Sequence, residues 1–222
     1  DPQTGQTDLS LLPAVLIESA QVRHGSQAGR YGSGTLGGVV SLRTRSPSAP
    51  IQVEATSGRG AFGWRTTGGL VSSAGDRWSG LVAAEGTWTD GDFPFDRDAP
   101  NVPERRQNAD RRHATVFGKV TRDGDKGASS ARLWWTDVDR GLPGTANAPP
   151  SDASQRDRQW RLGVDHRHSL PNGTLRIAAR GQDSFLRFQN PDPDPRFVQD
   201  DTTRTQRATL KTTADLALRP DL

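Results

Sequence analysis

A chain of 222 residues with 32% hydrophobic residues and no cysteine cannot be a disulfide-stapled scaffold, a thiolate metal site or a cysteine-nucleophile enzyme. Its 29 basic and 26 acidic residues leave a formal net charge of only +3 and are interspersed, so no basic block points to nucleic acid; nor is there a run of about 18 apolar residues to make a membrane-spanning helix. Six Trp, seven Phe and regular alternation of polarity exclude disorder, and a polar chain that still alternates is expected where each strand has one face on something apolar and the other on water.

Residues 1–47 read as one unit. "DLSLLPAVLIESAQVRHG" holds a loop, Pro13, and an apolar run from Val15 to Val22 that suits a short helical turn leading into a strand. Six glycines follow between Gly25 and Gly38, and "GSGTLG" (Gly32–Gly37) fits the G-x-G-x-x-G dinucleotide fingerprint. That fingerprint needs a helix after its last glycine, because the pyrophosphate rests on the helix N-terminus. Here Val40, Leu42 and Thr44 alternate with Ser41 and Arg43 towards Pro47, which is a strand. Glu54 stands near the distance of a ribose-binding acid, but spacing alone is a weak signal. The glycines therefore call for tight turns or close backbone approach. "SPSAP" (Ser46–Pro50) has the composition of a linker.

From Ile51 the pattern changes. Eight segments alternate in polarity: 51–57, 62–72, 77–88, 112–122, 129–138, 158–168, 174–187 and 203–218. "SAGD", "DGDKG" and "LPNG" are tight hairpin turns on one side. The connections 89–111, 139–157 and 188–202 are long, polar and rich in Asp and Pro, with "GRGA" the one short connection on their side. Short turns at one edge and long loops at the other are the pattern of an outer-membrane β-barrel. In "RWSGLVAAEGTW" the even positions are Trp78, Gly80, Val82, Ala84, Gly86 and Trp88; the odd ones include Arg77 and Glu85. Between the two Trp lie roughly 33 Å of strand, which a tilt near 45° projects to roughly 24 Å, the height of the apolar band between aromatic girdles. Leu175, Ile177, Ala179 and Phe185 oppose Arg176 and Arg180 in the same way, as Ala208, Leu210, Ala214, Leu216 and Leu218 oppose Arg207, Lys211 and Asp215, and Ala114, Val116, Gly118 and Val120 oppose His113 and Lys119. Charges on one face suit a watery lumen. Asp183 departs from its strand's pattern, near the loop end. A soluble β-sandwich or repeat protein also alternates, though its inner face would hold larger aliphatics than this Gly- and Ala-rich one.

The first unit resembles the end of the plug domain of TonB-dependent outer-membrane receptors. "DLSLLP" and "VRHGSQAGRYGSGTLGGVVSLRT" are similar to that family's plug pattern, with Gly25, Tyr31, Gly32, Gly34, Gly37 and Gly38 as its signature and Val39 and Thr44 also in place. "RQNAD" (Arg106–Asp110) and "RGLPG" (Arg140–Gly144) resemble recurrent segments of the family's barrel. The departures are Gln21-Val22-Arg23-His24 where the family has Glu-Val-Leu-Arg, and Ser19 where an Arg is common; they weaken the expected plug-to-barrel charge contacts. The resemblance implies an all-β fold: 1–47 as the C-terminal part of a plug, and 48–222 as about eight strands of a larger transmembrane antiparallel β-barrel, which in the family has about 22 strands. It implies energy-coupled import of a scarce ligand, such as a ferric siderophore, cobalamin or another metal chelate, across the outer membrane of a Gram-negative bacterium. The partners implied are that ligand, outer-membrane lipid and a TonB-type inner-membrane complex, which would engage a TonB box upstream of Asp1; no nucleic acid is implied. The remaining strands are expected after Leu222, since "LALRPDL" lacks the terminal aromatic of complete barrels.

Among candidate site residues, Phe93, Phe95, Arg105, Arg106 and Arg140 lie in the long loops and suit ligand contact, against the plainer reading of loop anchors. Asp192, Asp194, Asp200 and Asp201 in "NPDPDPRFVQDD" could hold Ca²⁺ through closely spaced carboxylates, against a solvated acidic loop stiffened by proline. His166 and His168 share a strand face, but a zinc site needs further ligands. No Ser-His-Asp or paired-carboxylate arrangement is supported by spacing, so no enzyme is expected and no other cofactor. Two other functions fit some of these features: a complete eight-stranded outer-membrane barrel with a structural or adhesion role, and a secreted carbohydrate-binding β-sandwich.

Overall fold

The computed structural model describes residues 12–25, 37–47, 50–95, 104–145, 151–191 and 198–217. A single turn of 3-10 helix at Ala14–Leu16 runs into β1 (Ile17–His24), which pairs antiparallel with β2 (Gly38–Thr44). Two signature glycines are needed for backbone reasons. Gly25 has φ +86°, and Gly38 has φ +145°, where a Cβ would sit 2.5 Å from the Arg23 carbonyl oxygen. A side chain at either would strain the chain. A Cβ on Gly37 would meet nothing within 4 Å; Tyr31, Gly32 and Gly34 lie outside the described residues.

The strands after the linker are β3 (Gln52–Arg59), β4 (Arg65–Ala74), β5 (Trp78–Thr89), β6 (Pro94–Phe95), β7 (Glu104–Arg105), β8 (Arg111–Gly124), β9 (Gly127–Gly141), β10 (Ser154–Leu170), β11 (Gly173–Asn190) and β12 (Gln199–Leu216). β6 and β7 form a small ribbon inside the long β5–β8 connection. The other eight make one antiparallel sheet in the order β12-β11-β10-β9-β8-β5-β4-β3, each strand beside its neighbour in sequence. These are the eight expected segments, several of them extended at the long-loop end. One segment starts later than expected: Phe62 lies in the β3–β4 turn with φ +57°, not in a strand.

Among the described residues β3 and β12 are sheet edges and do not pair with each other. The eight strands therefore do not close on themselves, which removes the small complete barrel. The other sheets among the described residues are the two-stranded ribbons β1–β2 and β6–β7, neither of which is the second layer that a sandwich needs.

Register shows what sorts the two faces. One row across all eight strands reads Val53, Val71, Val82, Gly118, Leu133, Leu162, Gly181 and Ala208. It contains no polar side chain, yet Val71, Val82 and Leu162 are more than half exposed. Trp78, Trp88, Trp135 and Trp160 belong to this face too, and Trp135 and Trp160 meet at 6.0 Å between ring centroids. A continuous apolar surface of this extent, rimmed by Trp, suits lipid rather than water. The neighbouring row on the opposite face reads Glu54, Leu70, Ala83, Phe117, Trp134, Arg161, Gln182 and Arg207. That face holds the only large buried cluster among the described residues: Val15 and Leu16 pack against Leu70, Leu81, Ala83 and Phe117, with Trp134 beside them. Leu16 is fully buried. The Ala14 backbone N–H reaches the Glu85 carboxylate, the Arg45 N–H donates to the Leu16 carbonyl at 2.9 Å, and the Arg45 guanidinium pairs with Glu54 at 2.5 Å. The root of the N-terminal hairpin thus docks on the charged, inner face of the wall through a small apolar cluster and two polar ties, Ala14–Glu85 and Arg45–Glu54, while the Arg45–Leu16 bond holds the root itself together.

Candidate functional site: the long-loop end

At the long-loop end the connections are tied to one another. The β3–β4 turn carries Phe62 and Gly63, both at positive φ. The Phe62 carbonyl accepts from the Asp90 and Gly91 N–H groups at 3.0 and 3.2 Å and from the Thr89 hydroxyl at 3.0 Å. Its ring meets Phe93 edge-to-face at 6.1 Å, a geometry favoured by the ring quadrupoles. Both rings remain exposed, at 45% and 42%, so together they offer an aromatic surface to solvent. Phe62 escaped the sequence reading because it opens an alternating run and looks like a strand residue.

The two loop motifs meet in space. The Asn108 side-chain amide donates to the Ser151 and Ala153 carbonyls at 2.6 and 2.7 Å, with a longer contact to Leu142 at 3.4 Å. Asn108 holds φ +54°, a conformation that Asn tolerates better than most residues. A Cβ on Gly141 would lie 2.3 Å from the Asn108 side-chain oxygen, so only glycine lets these loops approach. The Gly141 N–H donates to the Asp110 carbonyl at 3.0 Å and the Leu142 N–H to Ala153 at 2.8 Å.

Phe95, Arg105, Arg106 and Arg140 fall at the same end as Phe93, but most are engaged within the protein. The Arg106 guanidinium donates to the Gly144 carbonyl and lies 5.1 Å over the Phe95 ring, in cation–π range. Arg105 pairs with Asp92 at 2.6 Å, and Arg140 lies 3.5 Å from Asp157. These arginines brace the loops; Phe62 and Phe93 present the open face.

Of the candidate calcium residues, Asp192 and Asp194 lie outside the described residues. Asp200 is taken by Arg187, bonded through both nitrogens at 2.9 and 2.6 Å. That hydrogen bonding holds the Asp200 carboxyl below its usual range. Asp201 follows it in β12 and so faces the other side of the sheet. His166 and His168 stack at 6.1 Å near the short-turn end, with His166 Nδ1 2.9 Å from the Ser129 hydroxyl. Among the described residues no three His, Cys, Asp or Glu side chains gather as a metal site. Asp183, the residue out of pattern, is bonded by Arg204 at 3.0 and 2.6 Å, so its charge on the outer face is met by a partner.

A sheet with an apolar row on one face, a charged opposite face on which the N-terminal segment docks, and long braced loops at one end has the architecture of a partial β-barrel wall of the outer-membrane type. Comparison with known proteins narrows this class. Over 99 residues, 42% of this chain, it is 32% identical to the vitamin B12 transporter BtuB of Photobacterium profundum, and the match spans 16% of that protein. In fold, 97% of the chain matches a mutant of the ferric enterobactin receptor of Pseudomonas aeruginosa with a TM-score of 0.71 at 17% identity, covering 35% of the receptor. The chain thus spans much less than half the length of either. No family model matches it. The chain shares its fold with the receptor and a stretch of sequence with the transporter.

Proposed function

We propose that this chain supplies plug and wall to a TonB-dependent receptor in the outer membrane of a Gram-negative bacterium, which imports a scarce ligand of the ferric-siderophore or cobalamin type. The observation that carries the reading is the N-terminal hairpin docked at its root on the inner face of a wall whose outer face carries an apolar row from β3 to β12. A hairpin held there by one small apolar cluster and a few polar ties can be displaced without unfolding the wall, as energy-coupled opening by a TonB-type complex requires. The aromatic pair Phe62–Phe93 and the braced loops around Asn108 would receive the ligand. The test is uptake by the full-length protein in a host stripped of its own receptors, with and without a working TonB, against a panel of ferric chelates and cobalamin. TonB-dependent accumulation of at least one, reduced by a Phe62→Ala/Phe93→Ala double substitution, is the expected result. No TonB-dependent uptake of any of them, by a protein shown to be inserted and heat-modifiable, would refute the proposal.

A further inference from the structure

The outer face carries charge as well as its apolar row, all of it towards the strand ends. Nearer the loops, one line of cross-strand partners from β4 to β11 reads Arg65, Trp88, Arg112, Asp139, Arg156 and Arg187. Most outward arginines are met within the protein. Arg156 and Arg158 share Asp137 at 3.0 and 2.9 Å, Arg187 holds Asp200 at 2.6 Å and Arg204 holds Asp183 at 2.6 Å. At the short-turn end Arg122 lies 5.7 Å over the Trp78 ring. Arg65 and Arg112 differ: neither has a hydrogen bond, ion pair or ring contact among the described residues. Arg59 faces Arg65 directly across the β3–β4 pair, and like charges so placed cost stability unless an anion sits by them. Arg65 and Arg112 are not at a sheet edge. β4 lies between β3 and β5, and β8 between β5 and β9, so both neighbours of each strand are present. The docked hairpin lies on the other face.

The two arginines flank Trp88, and the three border a hollow of about 410 Å³ that Thr89, Asp90 and Asp110 complete. None of its four charged side chains is paired among the described residues. Trp88 forms its floor: a Cβ on Gly86 would lie 2.6 Å from the indole, so the ring lies down over that glycine, and 39% of the residue stays exposed. From Trp88 towards the short turns the outward positions of β5 and β8 are Gly86, Ala84, Ala114 and Val116, small or apolar over roughly 20 Å of strand before the apolar row is reached. There Val71, Val82, Gly118, Val120 and Leu133 border a second hollow of about 530 Å³. An occupant of this strip must satisfy two cations and two carboxylates at its loop end and lie on apolar surface below.

We infer that this strip of the outer face seats one lipid of the outer leaflet whose headgroup is a phosphorylated sugar. Arg65 and Arg112 hold the phosphate, since planar guanidinium forks match its oxygens bidentately. Asp90 and Asp110 accept hydrogen bonds from the sugar hydroxyls, Trp88 carries the sugar's flat face, and the acyl chains lie along β5 and β8 into the second hollow. A bare phosphate would be repelled by the two carboxylates; a sugar phosphate uses them. Continuity of the site with the apolar row selects a lipid over a soluble sugar phosphate, because the head and the chains find their surfaces on the same two strands. The seat rests on the proposed outer-membrane placement with the loops outward, and on nothing about the imported ligand.

The test is titration of the delipidated, detergent-solubilised full-length protein with a bis-phosphorylated disaccharide lipid (lipid A), with the same lipid stripped of its phosphates, with phosphatidylglycerol and with inorganic phosphate. The expected result is saturable binding of lipid A, weaker by about tenfold or more on removal of its phosphates or in an Arg65→Gln/Arg112→Gln variant. Arg65→Lys/Arg112→Lys should recover part, and Arg156→Gln, which alters a paired arginine of the same line, should leave binding unchanged. Heat-modifiable mobility of each variant verifies that the barrel has formed. Equal binding of the phosphate-free lipid, or equal binding by the double Gln variant, would overturn the inference. Phosphatidylglycerol held as tightly as lipid A would overturn the sugar-bearing head, and inorganic phosphate held as tightly would overturn the lipid. Absence of lipid binding by a heat-modifiable protein would overturn the inference even if TonB-dependent uptake stands. Lipid A binding by a protein that imports no chelate would keep this seat and remove the transport reading alone.

Discussion

Replacing Asn108 by Ala tests whether the two loop motifs are joined through one side chain. The substitution removes two short hydrogen bonds, to Ser151 and Ala153 at 2.6 and 2.7 Å, each with a net value of about 1 kcal/mol. It also forces Ala to hold φ +54°, at about 1 kcal/mol more. The sum, about 3 kcal/mol, corresponds to about a hundredfold rise in local opening. Amide hydrogen exchange reads this at Gly141 and Leu142, whose N–H groups donate to Asp110 and Ala153 across the same junction. Asn108→Gly separates the contributions: it keeps the positive φ at little cost and should speed exchange by about thirtyfold, the part due to the hydrogen bonds alone. Exchange in the middle of β5 should not change in either variant. Unaltered protection at Gly141 and Leu142 in both would refute the reasoning.

Three other outcomes follow from the same structure. Leu133→Arg places a charge in the apolar row and should cost about 2–4 kcal/mol of barrel stability, read as a lower urea midpoint in lipid, whereas Arg132→Leu on the adjacent inward position should cost far less. Leu16→Ala opens a cavity under the hairpin and should loosen its docking by about 2–5 kcal/mol, seen as faster proteolysis after Arg23 while the wall stays resistant. Because Arg187 depresses the Asp200 carboxyl below its ordinary 3.8, the pair's contribution is fully present above that value and is lost as pH falls through the depressed one. Exchange at Gln189 and Asn190 should therefore accelerate on acidification below 3.8, and Asp200→Asn should remove that acid dependence.

The eight strands were legible because each keeps a period of two wherever one face is apolar, and because "SAGD", "DGDKG" and "LPNG" are unambiguous turns. Their loop-side ends were not. Arg156 and Asp157 in β10, or Asp200 to Thr202 in β12, are polar on both faces and read as loop; the strands continue there through pairing with neighbours rather than through any alternation of their own. The departure at Asp183 was visible in the sequence, but its explanation, Arg204 twenty-one residues away on the adjacent strand, needs register. The same holds for the inner arginines. Arg132, Arg161, Arg180 and Arg207 are spread over four strands, and a one-residue slip in any pairing would turn that strand's charge to the other face. Asn108 gave one local signal, an Asn between two loop-forming stretches, but its three carbonyl partners come from another loop. Gly141 was part of a quoted motif, yet the reason for its lack of a side chain is Asn108 itself.

The sorting of faces on which everything else depends can be measured at two adjacent residues. Trp134 faces the inner wall, bonded to Thr115 and against Phe117, and Trp135 faces outward beside Trp160. Two variants of the full-length protein, each keeping one of this pair and Phe in place of every other Trp, would be reconstituted in bilayers of brominated lipid. Strong quenching of Trp135 with little of Trp134 is the predicted result. Equal quenching of the two, or stronger quenching of Trp134, would contradict the assignment of lipid-facing and inner surfaces.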